Sequence, residues 1–137
     1  MSSFELRAVG RVESSLKNPE DAPRQADEGA PEAWLVFDEA VRPALLGTRA
    51  GGEAILITWL HRASREILQA HPRRDPSRPI EGVFSTRSPN RPNPLGLHRV
   101  QIEEVDGVRV RVRGLEAIDG TPIVDMKAIV KEDISLR

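Results

Sequence analysis

The sequence contains no cysteine, which excludes disulfides, thiolate nucleophiles and cysteine-ligated zinc. It has no apolar run near the ~20 residues that a helix needs to cross a bilayer. Residues 1–7 (MSSFELR) lack the long apolar core of a secretory signal. The expected compartment is therefore the cytoplasm, with no membrane partner. The three histidines, His61, His71 and His98, lack the i, i+4 spacing of a helical metal site, and no metal is expected. Ten glycines are present, but none forms G-x-G-x-x-G, G-x-x-x-x-G-K-[ST] or G-x-S-x-G. Dinucleotide folds, P-loops and the hydrolase elbow are thereby excluded. There is no internal repeat and no low-complexity segment.

Net charge is also nearly absent, at −1 over 137 residues, which argues against a generic nucleic-acid binder. Its distribution is uneven. Residues 62–99 hold eight arginines against Glu66, Asp75 and Glu81, so this window carries +5 and the remainder −6. Arginine outnumbers lysine 17 to 3. A guanidinium fork suits phosphate and carboxylate, and a one-sided basic patch attracts an anionic partner despite a neutral total. A solvated basic face explains the charge equally well.

The length suits one domain with one core. Alternation of apolar and polar residues predicts strands over residues 4–13 (FELRAVGRVE), 34–37, 54–60 (AILITWL), 97–105, 108–115 and 123–130. Residues 38–46 (DEAVRPALL), followed by Gly47, read as a short helix with a glycine stop. Residues 61–71 read as one or two helical turns. Asp106-Gly107 between two alternating runs predicts a hairpin. Residues 14–33 are a long polar loop, and six of the eleven prolines fall between Pro72 and Pro94. Five to seven strands against at most two short helices, without βαβ alternation, predict a mainly β single domain over 1–137, a small barrel or sandwich.

Four polar clusters stand at strand ends. They are Pro23-Arg24-Gln25, His61-Arg62, Asp119-Gly120-Thr121-Pro122, and the segment GVFSTRSPNRPNPLGL at 82–97. Taken singly, each is explained by turn chemistry. The last is the most informative, since residues 87–94 combine Arg87, Asn90, Arg91, Asn93 and three prolines. Each proline fixes φ, removes a backbone donor and restricts its predecessor. The loop is therefore stiff without being helix or sheet.

GVFSTRSPNRPNPLGL followed by GLEAIDGTPIVDMK closely resembles the TsaA-like family, the TrmO methyltransferases, from Val9 to Lys127. The resemblance implies a small non-Rossmann β-barrel, S-adenosylmethionine as cofactor, a homodimer with the cofactor near its interface, and tRNA as partner. The implied reaction is methylation of N6 of threonylcarbamoyladenosine next to the anticodon. It carries Pro23, Arg24, Gln25, His61, Arg62, Arg87, Leu97, Asp119, Gly120, Thr121 and Pro122 to the cofactor, and Arg91, Asn93 and Lys127 to the substrate. No catalytic residue is assigned. Two departures stand out. The family's Pro-Tyr after Lys127 is replaced by Ala128-Ile129, and His98 stands where serine is common. Two other readings remain: the same enzyme class with a small-molecule acceptor, and a non-catalytic module that binds the cofactor or RNA.

Overall fold

The computed structural model describes residues 1–18 and 32–130. Eight strands form two sheets. They are β1 (Gly10–Glu13), β2 (Ala33–Phe37), β3 (Glu53–Trp59), β4 (Gln69–Ala70), β5 (Glu81–Gly82), β6 (Leu95–Asp106), β7 (Arg109–Arg113) and β8 (Pro122–Ala128). Six of them close a barrel in the order β1-β2-β7-β6-β3-β8, while β4 and β5 pair apart from it. The expected barrel is present. No helix of the described residues is long and apolar enough to cross a membrane.

Period-two alternation accounts for the core. Along β6, Gly96, His98, Val100 and Ile102 are buried while Leu95, Leu97, Arg99 and Gln101 are exposed. Val12, Leu35, Leu56, Val110, Val112, Leu115 and Ile123 fill the interior with essentially no exposure. Each such aliphatic side chain contributes roughly 1.5–3 kcal/mol by leaving water. The outward row of β7 is ionic, but it is paired. Arg109 reaches Glu13 at 3.1 Å, Arg111 reaches Glu32 at 2.6 Å and Glu104 at 3.2 Å, and Arg113 reaches Glu103 at 3.0 Å. Arg109 also lies over the Trp34 ring, 5.0 Å from its centroid. This stripe is internally neutralised and offers little net charge to an anion.

Several local expectations shift. The first strand begins at Gly10 rather than at residue 4, where its register with β2 and β8 starts; Phe4 is exposed. Residues 38–46 form a 3₁₀ helix, Glu39–Leu45, with Pro43 inside and Gly47 at φ +89° after it. In the β6–β7 hairpin Asp106 pairs with Arg109, so the two-residue loop is Gly107-Val108, not Asp106-Gly107. Gly107 takes φ +62°, as a turn with glycine at its first central position requires. Residues 61–68 are turns rather than helix. Their backbone is tied instead to the proline loop, with Ser64 N–H donating to Asn90 Oδ1 at 2.8 Å and Arg91 N–H donating to the Ser64 carbonyl at 3.0 Å.

Candidate functional site at one mouth of the barrel

Every neighbouring pair in the ring is antiparallel. The ends of β1, β3 and β7 therefore share one rim with the starts of β2, β6 and β8. Residues 60–94, residues 114–121 and residues 14–18 leave from that rim. The opposite rim holds the 3₁₀ segment and the short hairpin. Of the predicted cofactor clusters, His61-Arg62, Arg87 and Asp119–Pro122 belong to the first rim. Pro23, Arg24 and Gln25 lie outside the described residues.

The turn at 119–122 is bracketed against the segment leaving β1. Asp119 Oδ1 accepts the Ser14 N–H at 2.9 Å, and Lys17 Nζ stands 3.0 Å from Oδ2. The Ser14 amide and then Lys17 hold the Asp119 carboxyl below the ordinary carboxylate range. The backbone adds Asp119 N–H to the Leu16 carbonyl and Gly120 N–H to the Val12 carbonyl, at 2.6 and 2.7 Å. Thr121 is buried and its hydroxyl donates to the Ile118 carbonyl at 2.7 Å. Gly120 has φ +83°, and a Cβ there would meet nothing within 4 Å among the described residues. Arg62 Nη1 donates to the Lys17 carbonyl at 3.0 Å, which draws the end of β3 toward the same segment. A cleft of about 560 Å³ lies here, bordered by Ser14, Lys17, Trp34 and Asp119.

The proline loop is held by its own polar side chains. The Arg91 guanidinium donates to the carbonyls of Val83, Ser88 and Thr86 at 2.8, 2.8 and 3.3 Å. Arg65 Nε donates to the Pro92 carbonyl at 2.7 Å and Nη2 to Asn93 Oδ1 at 3.1 Å, with its guanidinium 5.1 Å from the Trp59 ring centroid. Arg91, Asn93 and Asn90 are thus engaged in fixing the loop. Arg87 and His61 are exposed and have no hydrogen-bond or ion-pair partner among the described residues.

Leu97 and Lys127 stand apart from the cleft. Leu97 pairs with Ile57, and Ile57 with Asp125, on the outer wall formed by β6, β3 and β8. Lys127 lies farther from the mouth, opposite Ile55. Leu97 is 49% exposed and Leu95 is 40% exposed, beside the half-buried Ile57 and Trp59, so this wall carries an apolar strip.

Sequence reasoning missed a polar trio beneath the mouth, two buried residues and the half-buried Glu116. His98 Nε2 lies 2.7 Å from Thr58 Oγ1, and His98 Nδ1 lies 2.7 Å from Glu116 Oε1. The signal was present: His98 has the inward parity of Val100 and Ile102 on a strand where every other inward residue is apolar or glycine. Among the described residues no group of three histidine, aspartate or glutamate side chains is arranged to hold a metal ion.

Six strands thus close a barrel without βαβ units, and among the described residues its longer connections leave from one rim. Residues 11–133 match the family model described as the tRNA-methyltransferase O N-terminal domain, and the chain belongs to that family. It is 39% identical over 138 residues to a probable S-adenosyl-L-methionine-binding protein of Methanothermobacter thermautotrophicus, covering 99% of this chain and 98% of that protein. It is 40% identical over 119 residues to VirR of Rhizobium radiobacter, a probable S-adenosyl-L-methionine-binding protein, covering 87% of this chain and 67% of that one. A crystal structure of TrmO superposes with TM-score 0.77 at 25% identity, over 99% of this chain. The chain spans 59% of that structure's length.

Proposed function

We propose that the chain is an S-adenosylmethionine-dependent methyltransferase acting on threonylcarbamoyladenosine in tRNA. The observation that carries this is the gathering of His61-Arg62, Arg87 and the 119–122 turn at one rim of a family barrel whose relatives are named for binding that cofactor. S-adenosylmethionine supplies, when bound, a methyl group already activated by its sulfonium, so positioning is the protein's main task. The residues present fit such a group. Among the described residues, Arg87 offers an unpartnered guanidinium fork for a carboxylate, His61 an unpartnered imidazole, and Gly120 a backbone edge that no side chain blocks. Arg62 and Asp119 keep the rim together, while Arg91, Asn93 and Arg65 keep the proline loop stiff. A rigid loop loses little freedom on binding.

The polynucleotide acceptor rests on the basic loop at 71–78. Arg73 and Arg74 both hold positive φ, 54° and 58°, a conformation that costs roughly 1–3 kcal/mol per residue and clusters at functional sites. With Arg78 and Asp75 they line a concavity of about 360 Å³. The apolar strip of Ile57, Trp59, Leu95 and Leu97 supports a homodimer. If two copies meet there, Leu97 joins the cofactor environment from an interface rather than from the cleft. Ala128-Ile129 in place of Pro-Tyr favours a small-molecule acceptor as the second reading.

Calorimetry should give a micromolar dissociation constant for S-adenosylmethionine, on the order of −8 kcal/mol. The logarithm of tRNA affinity should fall with the logarithm of salt concentration with a slope of roughly −3 to −4, as four or five phosphate contacts release counterions. Charge reversal of Arg73 and Arg74 to glutamate should flatten that slope and spare the cofactor. No heat and no thermal shift at millimolar cofactor would refute the enzyme assignment. Cofactor binding without a salt-dependent tRNA complex would favour the small acceptor. Nucleoside mass spectrometry of tRNA from a deletion strain identifies the product, and light scattering at the 15.2 kDa monomer mass would exclude the dimer.

A further inference from the structure

We propose that Thr58, His98 and Glu116 are positioning residues that set the spacing of the cofactor-facing clusters; this rests on the methyltransferase reading above. Two members are internal, with Thr58 fully buried and His98 5% exposed, while the Glu116 side chain is 20% exposed. The trio joins three separate segments, with Thr58 on β3, His98 on β6 and Glu116 in the connection after β7. Each member adjoins a proposed cofactor group. Thr58 stands three residues before His61, His98 directly follows Leu97, and Glu116 stands three residues before Asp119. Two contacts of 2.7 Å therefore span all three.

The chemistry suits alignment rather than adhesion. Apart from Thr121, apolar side chains fill the rest of the described interior, and an apolar trio would pack without desolvating polar atoms. Hydrogen bonds instead admit one arrangement of donor and acceptor. With Glu116 as a carboxylate and His98 as a neutral imidazole, Nδ1–H donates to Glu116 and Nε2 accepts from the Thr58 hydroxyl. Glu116 Oε2 is buried with no hydrogen-bond partner among the described residues, so this carboxylate is held in place despite an unmet oxygen. Gly96 leaves the space beside both partners, since a Cβ there would stand 2.6 Å from Thr58 Oγ1 and 2.7 Å from His98 Nε2. No group of the trio is exposed at the rim as Arg87 and His61 are, so it acts through the segments it joins.

The test compares Thr58→Val, which keeps the shape and removes the hydroxyl, with Thr58→Ser, which keeps the hydroxyl and removes a methyl. Both variants should melt below the parent. Amide exchange at Gly120 and Thr121 in the cofactor-free protein should accelerate about tenfold in Thr58→Val and stay near parental in Thr58→Ser, as expected for one lost buried hydrogen bond. The dissociation constant for S-adenosylmethionine should rise about tenfold in the valine variant only. A merely structural role predicts that exchange and affinity follow the melting temperature in both variants, and that outcome overturns the proposal. Parental affinity and exchange in Thr58→Val overturn it too. If the parent itself binds no cofactor, the methyltransferase reading fails, and the exchange comparison alone still decides whether the trio aligns the turn.

Discussion

Replacing Gly96 by alanine tests the packing under the mouth with a single methyl group. Its Cβ would lie 2.6 Å from Thr58 Oγ1, 2.7 Å from His98 Nε2 and 3.1 Å from Leu60 Cδ2. The first two atoms are the ends of one hydrogen bond, so the methyl cannot be accommodated by a free side-chain tip. Either the bond opens or β6 moves away from β3, where Gly96 pairs with Thr58. Overpacking a filled core costs about 1–3 kcal/mol, and a buried polar atom left unpaired costs about 1–3 kcal/mol more. Against this, alanine restricts the unfolded chain and returns about 0.4–1 kcal/mol. The net expectation is a loss of roughly 1–6 kcal/mol, or about 4–20 °C in melting temperature for a domain of this size. Gly82→Ala is the control. Gly82 has φ −64°, and its nearest neighbour to a built Cβ is the Leu68 carbonyl oxygen at 4.0 Å. It should be neutral or slightly stabilising. Denaturant unfolding followed by the fluorescence of Trp34 and Trp59 measures both. Equal midpoints for the two variants would refute the packing described for Gly96.

Gly10→Ala drives a methyl into the backbone of β2, onto the Val36 carbonyl oxygen and 2.8 Å from Phe37 Cα. A main chain yields less than a side chain, so a loss of about 3 kcal/mol or more is expected by the same assay; parental stability would contradict it. Arg91→Ala removes the guanidinium bonds to three carbonyls. It should speed limited proteolysis within residues 82–94 while lowering the global midpoint by only about 1 kcal/mol. Arg87→Ala should leave that proteolysis unchanged and weaken cofactor binding, and the reverse pattern would exchange the two assignments. Asp119 titrates below its ordinary value because the Ser14 amide and Lys17 favour its charged form. Its contribution is therefore full above the ordinary aspartate range and fades as pH falls through the lowered value. The stability gap between the parent and Asp119→Asn should shrink on acidification below about pH 4, and a gap independent of pH would remove the Asp119 bracket.

Much of the wall was legible because its signal is local. Three valines alternating with three arginines, or Val100 and Ile102 alternating with Arg99 and Gln101, declare a strand and its inward face without reference to any partner. Strand order was not legible. That β1 lies between β2 and β8, and β2 beside β7, depends on pairings across long stretches of chain. The site was half legible for a chemical reason. Arg91 and Asn93 resemble ligand-binding groups, but a guanidinium that suits a phosphate also suits a carbonyl: Arg91 donates to carbonyls of its own loop, and Asn93 Oδ1 accepts from Arg65. Leu97 and His98 show the complementary case. They are adjacent and face opposite sides of the wall; the parity that turns His98 inward with Val100 and Ile102 is local, but its partners Thr58 and Glu116 come from distant segments.

The ring is sealed between β1 and β8, whose register holds two residue pairs, Gly10 with Ile123 and Arg11 with Pro122. Proline brings no amide hydrogen to such a seam, although the Val9 and Val12 amides add bonds to the Ile123 and Thr121 carbonyls beside it. The seam joins residues more than a hundred positions apart, so loop-closure entropy must be met before those bonds form. A ribosome must release the chain well past Pro122 before closure, and until then the edges of β1 and β3 stay unpaired. Nascent or partly unfolded molecules would therefore show sticky strand edges. The folding rate should be that of a nonlocal β topology, milliseconds to seconds rather than microseconds.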